Sequence, residues 1–278
     1  MNKTKIWLIV AVLLILIGSV VFGGVMMKLN WDFTGLSTTK YETNTTSVDA
    51  QYKNVSVTTD TADIEFVISD STKVVCYEEI NAKHSVEVKD GTLFVKLIDE
   101  RKWHEHIGIN FGTPKITVYL PKAEYGTVSV KTSTGNITLE NISAEYLDLS
   151  VSTGKVAVAN VTCKGDVKVK VSTGRTNITD VTCKNLVTSG NTGDVVLKNV
   201  VATEKFSVER TTGDVKFDGC DANEIVAKTD TGSITGTLLT DKIFVAQTDT
   251  GRVSVPNTTS GGRCEITTDT GNIKITID

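Results

Sequence analysis

The chain has 278 residues, of which 40% are hydrophobic, 6% aromatic and 22% charged. That is enough apolar material for one large or two ordinary domains, and 3 prolines with 22 glycines exclude disordered and collagen-like chains. The formal net charge of −4 and a pI near 5.5 supply no basic field, so nucleic acid is not an expected partner.

Residues 1–5 carry Lys3 and Lys5 and are expected to stay in the cytoplasm, because positive flanks are retained there. Residues 6–27 contain no charge and are interrupted only by Gly18, Ser19, Gly23 and Gly24. About 20 apolar residues suffice for a helix to span a bilayer. A cleaved signal peptide has a shorter apolar region ending in a small-x-small site, and this run has no Ala-x-Ala end and no lipobox cysteine. The expectation is therefore a single-pass signal-anchor in the cell membrane, N-terminus inside and the remaining chain extracellular. Residues 28–50 are rich in Thr, Ser and Asn without an apolar period and read as a polar stalk.

Threonine is the unusual residue, with 42 copies. Eight Thr-Gly pairs end at Gly135, Gly154, Gly174, Gly193, Gly213, Gly232, Gly251 and Gly271, spaced 19 or 20 residues apart. A near-constant period of this length means stacked or radial repeats. Aligned on the glycine, apolar residues alternate on both sides. Val128, Leu147, Val167, Leu186, Phe206, Ile225, Phe244 and Cys264 stand seven before it. Ile137, Val156, Thr176, Val195, Val215, Ile234, Val253 and Ile273 stand two after. Period-two alternation marks strands with one buried face. Six after the glycine come Asn141, Asn160, Asp180, Asn199, Gly219, Leu238 and Asn257, mostly types that tolerate a left-handed backbone at a second corner. Each repeat reads as strand, Thr-Gly turn, strand, Asn turn and connector.

Two architectures fit: an antiparallel meander and a parallel β-solenoid. Hairpin turns prefer Asn-Gly or Gly-x, and a meander gives threonine no reason to recur at every turn, whereas stacking into ladders does. The expected fold is all-β: a right-handed parallel β-solenoid (β-helix) of 19–20-residue coils over residues 126–278, eight repeats in all, preceded by one transmembrane helix. Residues 51–125 read as its diverged N-terminal β cap. Within them Val57 to Phe66 mirrors Thr267 to Ile275 with Ala62 in place of glycine, and Asp90-Gly91 is a hairpin turn.

The Ser/Asp-Thr-Gly-x-Ile/Val repeats, the segment Trp103 to Gly112 and the run Pro114-Lys115-Ile116-Thr117-Val118-Tyr119-Leu120-Pro121 resemble the bacterial "putative adhesin" family of unknown function over residues 50–278. The resemblance implies a β-helical surface domain on membrane-anchored envelope proteins, some of them encoded in envelope-stress operons. It brings no catalytic residues.

Several constellations invite chemistry. Asp230-Thr231-Gly232-Ser233 matches an aspartic-protease motif, and Asp249 and Asp269 head the same tripeptide. The column also holds Ser133, Ser152 and Ser172, so turn chemistry explains it. Stacked aspartates form at most a cation ladder, and the ligand set of a calcium loop is absent. Trp103, His104, His106 and Phe111 form an aromatic, His-containing loop that either packs on the core or contacts a partner. Cys163 and Cys183 share a column in consecutive repeats, within the separation of a disulfide in an oxidising exterior. No nucleotide, cofactor or hydrolase motif occurs, so no enzymatic activity, cofactor or confident metal site is expected. The expected role is a surface-interaction, adhesin-like or scaffold module for a cell-wall polymer or envelope protein. An envelope glycan-active enzyme is the rival, and homo-oligomeric assembly through an open C-terminal end at Ile273, Ile275 and Ile277 is a third reading.

Overall fold

The computed structural model describes residues 3–33, 37, 39–102 and 112–278. The loop residues Trp103, His104, His106 and Phe111 lie outside them. Two compact units occur, Met1–Tyr41 with Glu100–Gly112, and Glu42–Asp99 with Thr113–Asp278. In the first, α1 (Lys3–Lys28) contains the uncharged run and is long and apolar enough to cross a membrane.

The second unit is β-structure throughout. Before the repeats come β1 (Tyr41–Ser47), β2 (Asn54–Thr58), β3 (Asp63–Ile68), β4 (Lys73–Glu79), β5 (Ala82–Lys89), β6 (Thr92–Asp99) and β7 (Lys115–Leu120). The repeats begin with β8 (Glu124–Thr134), β9 (Ile137–Glu140), β10 (Ser143–Thr153), β11 (Val156–Cys163), β12 (Asp166–Thr173) and β13 (Thr176–Thr192). They continue as β14 (Val195–Thr212), β15 (Val215–Thr231), β16 (Ile234–Leu238), β17 (Lys242–Thr250), β18 (Val253–Ser254), β19 (Gly262–Thr270) and β20 (Ile273–Ile277).

Strands of successive repeats pair in parallel with equivalent residues opposite each other. Val128, Leu147, Val167, Leu186, Phe206 and Ile225 form one continuous ladder across β8, β10, β12, β13, β14 and β15. The fold is a β-solenoid, and the meander is excluded by the parallel register. Apolar columns on both sides of the Thr-Gly turns form one core, which includes Leu147, Leu186, Phe206, Leu197 and Phe217. A third, short face carries Ala144, Cys163, Cys183, Ala202 and Ala222, all buried. The second corner is left-handed as its side chains allow, with φ of 59° at Asn141, 53° at Asn160 and Asp180, and 50° at Asn199.

The Thr-Gly turns explain their own repetition. At Gly193 φ is +121°, and an added Cβ would lie 2.0 Å from the carbonyl oxygen of Gly174 one coil away. Each turn therefore stacks on the backbone of the last, closer than any side chain permits. The threonine before each glycine is exposed; from Thr153 onward its carbonyl accepts from the glycine N–H of a neighbouring coil, as in Gly174 N–H to Thr192 O at 2.8 Å, while Thr134 O accepts from Ala62 N–H.

Three features depart from the sequence expectations. Residues 28–50 are not stalk throughout: β1 forms there, its Thr-rich stretch suiting a strand beside β4. Residues 51–125 contain a full coil as well as a cap. β2 lies between β6 and β8, and β3 between β7 and β9, with Ala62 at the glycine position. The cap itself is antiparallel, β4 pairing with β7 and β5 with β6 around a left-handed Asp90-Gly91 turn.

The last two coils exchange places. β19 pairs with β15 on one side and β17 on the other, and β20 sits between β16 and β18. Ile273 and Ile275 are consequently buried and form no open end, which corrects the expected route of assembly. The outer coil is that of β17 and β18, where Ile243 and Val245 are 47% and 49% exposed. Residues 255–261 carry the chain back inward, the Thr258 hydroxyl donating to the Lys242 carbonyl.

Candidate functional site

An outward column of β8, β10, β12, β13, β14 and β15 places Lys131, Ser150, Lys170, Ser189, Glu209 and Lys228 in register up the stack. Adjacent strands lie about 4.8 Å apart, so this surface is a periodic polar ladder. Ion pairs run along the coil axis at other columns, including Arg175 to Asp194 at 3.0 Å and Lys205 to Glu224 at 3.0 Å. These pairs are solvated and contribute little to stability, about 0–1 kcal/mol each.

Asp230 and Asp249 both flank Asp269, because the last coil is interior. Asp249 and Asp269 are exposed, and Lys228 lies 3.7 Å from Asp230. Cys163 and Cys183 occupy the same corner of adjacent coils as free thiols, and the Cys163 thiol donates to the Glu145 carbonyl at 3.3 Å. Burial pushes the Cys183 thiol up to about 12, helped by the neighbouring Cys163.

Buried charged side chains escaped the sequence reading, among them Lys242, paired with Asp221 at 2.6 Å, and two further groups. The first is Arg210, 1% exposed inside the solenoid, where it stands over Gly190 of the previous coil. Its Nη2 donates to Thr176 Oγ1 at 2.8 Å, while Nε and Nη1 have no partner among the described residues. Desolvation pulls the guanidinium down to about 10, so it remains charged at neutral pH.

The second is a cluster in the cap. Along β4, Val74, Cys76 and Glu78 share the buried face, so alternation carries a carboxylate inward where an apolar residue is the norm. The β4–β5 hairpin brings His84 back beside it. Glu78, 1% exposed, accepts from the His84 backbone N–H at 2.7 Å, and the same oxygen lies 2.7 Å from His84 Nδ1. Asn44 Nδ2 donates to the other carboxylate oxygen at 2.8 Å. The Thr59 hydroxyl is 2.8 Å from His84 Nε2. Beside them the Cys76 thiol is pushed up to about 12, first by burial and then by the Glu78 charge. The potential ligand atoms of Cys76, Glu78 and His84 lie within 4.8 Å of one another.

Thr59–His84–Glu78 has the connectivity of a hydroxyl–imidazole–carboxylate relay. Thr59 is only 6% exposed, however, so its hydroxyl is closed to a substrate carbonyl. The arrangement acts as a structural hydrogen-bond network rather than a nucleophile site.

Stacked Thr-Gly coils, a polar outer ladder and an antiparallel cap define a solenoid repeat domain. The family model of Toastrack DUF4097 matches residues 52–200 and 164–278, and the chain belongs to that family. No curated protein matches it. Among solved structures, a "putative adhesin" from Bacteroides fragilis is 19% identical with a TM-score of 0.55, covering 85% of this chain and 97% of its own. A "putative lipid binding protein" from Parabacteroides distasonis is 14% identical with a TM-score of 0.52, covering 86% and 98%. At these identities the likeness is one of fold.

Proposed function

We propose that this chain is a membrane-tethered surface-interaction module without catalytic activity. α1 anchors it in the cell membrane with Lys3 and Lys5 inside, and the solenoid stands outside. The observation that carries the reading is the registered outward ladder of Lys131, Ser150, Lys170, Ser189, Glu209 and Lys228. A surface repeating about every 4.8 Å suits an extended, repetitive ligand, and a cell-wall polymer is the partner of that kind outside a membrane. The adhesin description of the Bacteroides structure supports an interaction role.

The test is co-sedimentation of the full chain, held in nanodiscs, with insoluble cell-wall polymer. Binding without release of soluble fragments is expected, and reversing Lys131, Lys170 and Lys228 to glutamate should abolish it. Soluble products would establish the glycan-active enzyme instead. Failure to sediment would remove the polymer and leave an envelope protein as the partner.

A further inference from the structure

The cap cluster goes beyond a surface-interaction role. A carboxylate taken out of water requires compensation, and Glu78 has no Lys or Arg partner among the described residues; its one ion-pair neighbour is His84. Beside this pair sits a thiol that takes no part in the hydrogen-bond network. Thiolate sulfur, imidazole nitrogen and carboxylate oxygen are the three donor types that bind zinc, at about 2.0–2.3 Å. Donor atoms around one tetrahedral ion at those bond lengths are about 3.3–3.8 Å apart. The Cys76, Glu78 and His84 atoms, all within 4.8 Å of one another, reach that arrangement by side-chain adjustments of about an ångström.

The outer groups are in place as well. Metal-bound histidine uses its second nitrogen to hydrogen-bond an acceptor, and ligating carboxylates are themselves hydrogen-bonded. With Nδ1 turned to the ion, Nε2–H of His84 donates to Thr59 Oγ1, at the 2.8 Å separation already present. Asn44 Nδ2 holds the carboxylate oxygen that faces away from the shared one, at 2.8 Å. Both supporting residues come from strand regions other than those of the ligands: Asn44 from β1, and Thr59 from just after β2.

We propose that Cys76, Glu78 and His84 bind a single zinc(II) ion, with Thr59 and Asn44 orienting the ligands. Binding releases the Cys76 thiol proton to solvent, giving a thiolate–zinc bond, moves the imidazole proton from Nδ1 to Nε2 of His84, and replaces the Glu78–His84 Nδ1 hydrogen bond by two metal bonds. The fourth position falls to a water, as in zinc sites with three protein ligands. The ion ties β4 to β5, and through Thr59 it fastens the antiparallel cap to the first coil.

The test uses the full chain in detergent micelles, stripped with chelator and titrated with cobalt(II), a spectroscopic stand-in for zinc. Wild type should take up one equivalent and develop visible ligand-field bands together with a thiolate-to-cobalt charge-transfer band, both bleached by added zinc. Cys76→Ser, nearly isosteric and therefore expected to fold, should lose the charge-transfer band. Thr59→Val and Asn44→Ala should keep the spectrum and bind about 10–100-fold more weakly. Wild type that takes up no metal, or a charge-transfer band that survives in Cys76→Ser, would overturn the proposal.

Discussion

Ile225 stands in parallel register with Cys264, two turns of chain further on. The coil made between them, carrying Phe244, lies on the far side of Cys264. The exchange is tested by cysteine pairs on the outward column. Parallel partners at about 4.8 Å fall within the Cα range of a disulfide, whereas positions two strands apart do not. Val226→Cys with Glu265→Cys, and Val245→Cys with Glu265→Cys, should cross-link on mild oxidation. Val226→Cys with Val245→Cys should stay reduced, and the opposite pattern would restore simple sequential stacking.

The glycine columns differ in what they tolerate. Gly193→Val combines a φ of +121° with a Cβ 2.0 Å from the Gly174 oxygen, so both strain and overlap oppose it. It should cost about 3 kcal/mol or more. Gly219, at φ +61°, occupies the corner held elsewhere by Asn141 and Asn199, and an added Cβ meets only side chains, Asn199 Oδ1 at 3.2 Å and Leu239 Cδ2 at 3.9 Å. Gly219→Asn should therefore fall within about 0.5 kcal/mol of wild type. Thermal unfolding of the two variants provides the comparison.

Arg210 costs the core stability. An enclosed guanidinium with two unpartnered nitrogens has given up its hydration for one hydrogen bond to a threonine. Arg210→Met fills similar volume without the charge, and the gain should be on the order of 1–4 kcal/mol. A midpoint that falls in denaturant titration would mean that the charge is compensated.

The buried thiols give a pH dependence of definite sign. Burial raises Cys183 and Cys264 to about 12 in the folded chain, against about 8.5 for an exposed thiol. Between those values the unfolded chain has lost the proton that the folded chain keeps. Stability from this source is complete below about pH 8.5 and then falls by about 1.4 kcal/mol per pH unit for each thiol as pH rises. Alkylation at pH 8 should leave both residues unmodified in the native protein and label them in denaturant.

The coil period and its inward columns were legible because stacking forces equivalent residues into one environment, and Val128 to Ile225 advertise this by repeating. The same redundancy hid the coil exchange. Phe244 and Cys264 satisfy the same column, so either coil fits beside Ile225. One local sign existed: after Val253 the chain runs through Pro256 and Gly261-Gly262, with Thr258 where other coils place Val161 or Val181 against the core. The cap cluster left a fainter trace. Glu78 sits two residues after Cys76 on an alternating strand, but only the β4–β5 hairpin shows that His84 arrives beside them. Arg210 has no local sign beyond its position above Gly190, a contact that exists only across coils.

The exchanged coils also set an order of events. The segment with Phe244 precedes the one with Cys264 in the chain, so chain growth from the N-terminal end would offer it the edge of β15 first. Its alternation suits that edge, and a provisional register there would have to dissolve before β19 could enter. Growth of this solenoid is then not simple accretion in chain order: the segment made last sits one coil inside the segment made before it.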